Sequence, residues 1–178
     1  MNNKSLISFI IVGLIFFAFI LLFVSDRDDD FFDGNQFDEN QFGEISYEVP
    51  SKFESDEEYS YSRYYNYSDD SIYCTFRVSV TEKDHYDSSK DWFKEMITFN
   101  LNDKVSDLKE VTINDSKMYY IDKKGSGVTE YYYGAESSNH YYLLTYSIDD
   151  YENGDRNDLD SNFCYNAKDR ILSSVKIK

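Results

Sequence analysis

The chain of 178 residues has one proline, seven glycines, two histidines and two cysteines, and each scarcity closes off a class of function. With only His85 and His140, a histidine-rich zinc centre is excluded, and a site built from acidic or thiol ligands would need partners that the sequence does not announce. No HExxH, GxSxG or glycine-rich phosphate loop is present, so the common metalloprotease, serine hydrolase and nucleotide-binding signatures are missing. Clustered cations are missing too. Lys and Arg total 18 against 34 Asp and Glu, scattered rather than patched, which removes nucleic acid as a partner. Scarce proline and alanine beside abundant Tyr, Asn, Asp, Lys and Ile suggest a prokaryotic, AT-rich source.

Charge is absent over one long stretch, Leu6 to Val24 (LISFIIVGLIFFAFILLFV), which at 1.5 Å per helical residue spans roughly 28 Å, the hydrocarbon thickness of a bilayer. A cleaved signal peptide would have a shorter apolar core ending in a small-x-small site. Neither condition holds: the exit triplet is Phe23-Val24-Ser25, and no lipid-accepting cysteine follows. The expectation is an uncleaved signal-anchor. Lys4 and the amino terminus flank one side, and an aspartate-rich segment with Arg27 flanks the other, so residues 1–5 are expected in the cytoplasm and the rest outside. All acidic residues lie beyond Val24, together with every basic residue except Lys4. Such acidity is read first as solubility at an exposed surface.

Residues 25–43 read as a flexible acidic linker, because few apolar groups face the entropy of ordering. The linker holds a short tandem repeat, Asn35-Gln-Phe-Asp-Glu39 and Asn40-Gln-Phe-Gly-Glu44. From residue 44 to 178 the pattern is that of one domain. Alternation of period two predicts strands at Ile45 to Val49, Tyr59 to Tyr67, Ile72 to Val80, Leu108 to Ile113, Lys117 to Asp122, Val128 to Ala135, Tyr141 to Ile148 and Ser174 to Ile177. Pro50, unable to donate to a ladder, suits a first or edge strand. One helix is expected after Asp87 and Ser88, with Asp91 three residues beyond Ser88 and an apolar stripe of Trp92, Phe93, Met96 and Ile97. A second carries Leu159, Phe163, Ala167 and Ile171 on one face. Runs of strands punctuated by helices, without βαβ alternation, define an α+β class: an antiparallel sheet with two packed helices.

Cys74 falls on the apolar face of its strand and Cys164 beside the buried stripe of its helix. If those faces meet, a disulfide would close a long loop, worth roughly 4 to 5 kcal/mol by chain entropy; two buried free thiols are the alternative. A Cys164–His140 nucleophile pair is disfavoured, since a reactive thiol needs exposure. Asp149 to Asp160 aligns with a twelve-residue EF-hand loop, but Tyr151 and Arg156 break its third and eighth positions and Asp160 replaces the bidentate Glu. An ordinary polar turn explains it better. Eighteen tyrosines, many in doublets, put a ring on each side of a strand, and some are expected on the outer face of the sheet as a glycan- or protein-binding surface.

The opening Ile45-Ser-Tyr-Glu-Val-Pro50 with Phe53, the helix around Trp92 and the closing Ile171-Leu-Ser-Ser-Val-Lys-Ile177 resemble the PsbP-like α/β/α sandwich of small exported prokaryotic proteins. That resemblance covers residues 44–178. It implies a binding or assembly module and carries over no catalytic residue and no cofactor. The expected function is therefore a single-pass, membrane-anchored extracytoplasmic binding module at the cell envelope, taking a protein or glycan partner, with a small envelope-polymer hydrolase using acidic residues as the alternative.

Overall fold

The computed structural model describes residues 36–56, 59–68, 72–83, 86, 88–100, 106–125, 127–150 and 159–178. The stretch 6–24, His85, the turn at 69–71 and most of the EF-hand-like loop, 151–158, lie outside them. Among the described residues no helix is long and apolar enough to cross a membrane.

Ten strands and two helices are described: β1 (Phe37–Phe42), β2 (Ile45–Pro50), β3 (Glu54–Ser55), β4 (Ser62–Ser68), β5 (Ile72–Glu82), α1 (Ser89–Asn100), β6 (Lys109–Ile113), β7 (Ser116–Gly125), β8 (Val128–Glu136), β9 (His140–Asp150), α2 (Leu159–Ser174) and β10 (Lys176–Ile177). Seven strands form one sheet in the order β3-β4-β5-β9-β8-β7-β6, and a smaller sheet runs β1-β2-β10. Every neighbouring pair is antiparallel. The class is α+β, as the strand and helix runs predict.

Alternation along β9 assigns the two helices to opposite faces of the large sheet. Tyr141 and Leu143 pack with Trp92, Phe93 and Ile97 of α1, whereas Tyr146 donates its hydroxyl to the Cys164 carbonyl of α2 at 2.8 Å. The small sheet shares the α2 side, where Tyr47 packs edge-on against Tyr65 and Phe76. Ser88 caps α1: its Oγ accepts from the Asp91 amide at 3.2 Å and donates to the Asp91 carboxylate at 2.7 Å. Cys74 of β5 and Cys164 of α2 are joined in a disulfide, Cα to Cα 6.0 Å, across 90 residues. The bridge fastens α2 to the centre of the sheet.

Three expectations are corrected. The linker expected over 25–43 ends earlier, because Phe37–Phe42 is strand β1, paired along its whole length with β2. Its composition is poor, but Phe42 is buried and Asn40 Oδ1 accepts from the Tyr65 hydroxyl at 3.1 Å. A ladder and one ring anchor it. The domain therefore begins at residue 36 rather than 44. Secondly, β2 lies between β1 and β10 and is no edge strand; Pro50 is tolerated because β10 pairs only with Ile45 and Ser46, leaving the proline end of β2 flanked by β1 alone. Thirdly, the exposed tyrosines are fewer than the doublets suggest: Tyr59 and Tyr61 are exposed and Tyr64, Tyr119 and Tyr120 half-buried, but the rest of the doublets are core. Tyr131, Tyr132, Tyr133, Tyr141 and Tyr142 are all 8% exposed or less, packed at the centre of the sheet, with Tyr132 and Tyr141 in the cluster under α1.

Candidate functional site

The α1 side of the large sheet changes polarity along its length. On β9 the residues facing α1 are Tyr141 and Leu143, then Thr145, Ser147 and Asp149; on β5, across the ladder, they are Tyr73, Thr75, Arg77, Ser79 and Thr81. The aromatic and aliphatic half lies under Trp92 and Phe93. Where it gives way to polar residues, a cleft of about 480 Å³ opens beside Met96 of α1. That volume falls in the range of small-molecule sites.

Register fixes the floor of the cleft. Arg77 lies opposite Thr145, which lies opposite Tyr132 on β8. One row further, Ser79 lies opposite Leu143 and then Gly134. An added Cβ at Gly134 would press into the Phe93 ring, so the missing side chain is what lets that ring lie on the sheet next to the row that ends in Leu143. At the open end Tyr61 forms a lip, 56% exposed, with Tyr59 against it at 5.8 Å between ring centroids. These two are the large exposed aromatics among the described residues.

Two residues that line the cleft each hold a buried polar atom with no hydrogen-bond partner among the described residues: Arg77 Nε and Ser79 Oγ. The Arg77 guanidinium stacks over the Tyr64 ring, 4.7 Å from its centroid, and no described carboxylate pairs with it. Two other unpartnered atoms, Ser62 Oγ and Trp92 Nε1, do not belong to residues that line this cleft. The carboxylate in the lining, Glu130, is engaged by Lys123 at 3.6 Å and by the Tyr132 hydroxyl. Burial first, then the Glu130 charge, pushes the Tyr132 phenol well above its ordinary range, so it stays a neutral donor.

A second cluster gathers at the turn between β1 and β2. Glu44 Oε2 accepts from Ser137 Oγ at 2.5 Å and contacts His140 Nδ1 at 3.1 Å, while Oε1 accepts from Ser138 Oγ at 2.8 Å and Asn139 Nδ2 at 3.1 Å. The Glu44 amide donates to the Tyr142 hydroxyl at 2.8 Å. The trio of Ser137, His140 and Glu44 is not a catalytic triad. Serine and histidine both meet the same carboxylate oxygen, whereas nucleophilic activation needs the histidine between the other two. These hydrogen bonds, led by that of Ser137, hold the Glu44 carboxyl down at about 2. The cluster is a clamp between two turns.

The other candidates separate in space or in chemistry. Cys164 is bonded to Cys74 rather than presented to His140, whose ring meets Glu44. Asp149 sits near the end of β9, and among the described residues no group of three His, Cys, Asp or Glu is arranged to hold a metal ion.

No protein-family profile and no curated protein sequence matches the chain. Its fold is similar to that of a Pseudomonas aeruginosa protein of unknown function, PA94, at 11% identity and a TM-score of 0.50, covering 80% of this chain and 98% of that one. A crystal structure from Bacteroides thetaiotaomicron aligns at 14% identity and a TM-score of 0.48, over 76% of this chain; the chain spans 45% of that protein's length. Identity this low speaks to fold and not to activity.

Proposed function

We propose that the protein is a single-pass, membrane-anchored module whose α+β domain lies outside the cytoplasm and binds a component of the cell envelope, without catalysing a reaction. The cleft beside α1 is its binding site. The observation that carries this is the pair of unpartnered buried donors, Arg77 Nε and Ser79 Oγ, on residues lining a cavity rimmed by the exposed Tyr59–Tyr61 pair. Aromatic lips over polar floors suit envelope glycans and peptides alike, since the ring gives contact area at small entropic cost. The uncharged stretch 6–24 supports the anchor, and Lys4 with the amino terminus on its near side supports the orientation. Helices on both faces of an antiparallel sheet support the likeness to the PsbP-like sandwich.

The alternative, a hydrolase with an acid pair, finds less support. In the cleft Glu130 already meets Lys123 and Tyr132, whereas a general acid or base needs a free carboxyl facing a second across the substrate. Photo-crosslinking in intact cells tests the proposal. A benzophenone amino acid at position 61 of the full chain should capture an envelope component that the same group at exposed Lys117, on β7, does not. Identical captures from both positions would overturn it.

A further inference from the structure

We infer that the cleft selects a small organic carboxylate with an apolar body, its anionic head against Arg77 and Ser79 and its body along Leu143, Met96 and Tyr132. This rests on the cleft being the binding site and adds the chemistry of what enters it. Arg77 and Ser79 are two apart on one strand, so both face the same side of the sheet. Each brings a buried donor atom, and among the described residues none has an acceptor. An arginine stays charged at any relevant pH, and a partly buried cation is costly until an anion meets it. Stacking on Tyr64 offsets only part of that cost.

The setting sharpens the inference. In a chain with 34 acidic and 18 basic residues, carboxylates are the commonest partner a guanidinium could find, yet no described one pairs with Arg77. A ligand carboxylate would accept from the guanidinium, and from Arg77 Nε and Ser79 Oγ once small side-chain movements open them to the cleft, through charge-assisted bonds about twice as strong as neutral ones. A neutral sugar would leave the guanidinium uncompensated. A doubly charged phosphate would bring excess charge to a single cation in a cleft that already contains Glu130. Beyond the polar corner the wall is apolar, formed by Leu143 and Met96 with the Tyr132 ring. A head-and-body ligand fits that division.

The test compares phenylbutyrate with its primary amide, the same shape without charge, titrated calorimetrically into the full chain in detergent micelles. The acid should bind about tenfold more tightly than the amide. Arg77→Gln should bring the two within about twofold of each other, Arg77→Lys should keep most of the preference, and Ser79→Ala should weaken the acid severalfold. Thermal unfolding of each variant checks that it folds; if Arg77→Gln does not, the wild-type acid-to-amide ratio and the lysine variant still decide. Equal affinity for acid and amide, a preference that survives Arg77→Gln, or no binding of either probe at millimolar concentration would overturn the inference. Failure here with specific crosslinking from position 61 would leave the module standing and remove only the carboxylate. A charge preference without crosslinking would do the reverse.

Discussion

Gly134 and Phe93 show how one missing side chain seats α1 on the sheet. Phe93 is fully buried, and an added methyl at position 134 would press into its ring. Gly134→Ala should therefore destabilise the fold by about 1 to 3 kcal/mol through overpacking. Urea denaturation reads this directly; an unchanged midpoint would mean that α1 is not seated on β8 as described. Glu44 gives a prediction in pH. Its carboxyl is held down to about 2 by Ser137, His140 and Ser138, below the ordinary unfolded value near 4.3. A carboxyl depressed on folding stabilises above its unfolded pKa, and that stability is lost as pH falls through the folded one. The stability difference between wild type and Glu44→Gln should be constant above pH ~4.5 and shrink between there and pH ~2. A difference flat across that window would contradict the clamp.

Elements differed in how much of them could be read in advance, and the reason is the local pattern. The first helix was legible because its cap and its stripe are local: Ser88 bonds Asp91 within one turn, and Trp92, Phe93 and Ile97 recur at helical spacing into the core. Strand β5 was legible from strict alternation of Ile72, Cys74, Phe76, Val78 and Val80. Strand β1 was not. Its ladder is local, a hairpin closed with β2 across Gly43 and Glu44 with Gly43 at φ 64°, but its polar, acidic sequence does not alternate, and the Tyr65 hydroxyl that bonds Asn40 lies 25 residues away. The polar series Thr75, Arg77, Ser79 and Thr81 was visible, but nothing local says that Thr145 lies opposite Arg77 or that Met96 closes the side. So the strand was readable and the cleft was not. Two variants test the elements. Phe42→Ala should cost about 3 kcal/mol if β1 belongs to the domain, measured by urea denaturation, whereas a true linker would show no change. Replacing Cys74 and Cys164 together by alanine should cost about 4 to 5 kcal/mol, the chain entropy of so long a loop. Unfolding midpoints equal with and without reductant would deny the bridge.

For the whole molecule, the described domain and the uncharged stretch before it call for different solvents. Residues 36–178 form a compact unit whose sheet is covered on both faces, while residues 6–24 carry no charge at all. Under the proposed topology, protease added to intact cells should degrade the domain, and a polypeptide protected until lysis would place it on the other side. The acidity of the domain suppresses nonspecific contact with anionic surfaces, which leaves recognition to local chemistry such as the Arg77 corner. The most direct test fills that corner. Thr145→Trp would place an indole over the cleft floor beside Arg77 without entering the α1–β8 core. The measurement is crosslinked capture from position 61 in intact cells, wild type against Thr145→Trp, with the unfolding midpoint as a check on folding. The envelope component caught by wild type should be lost from a variant that still folds; its undiminished capture would contradict the cleft as the site.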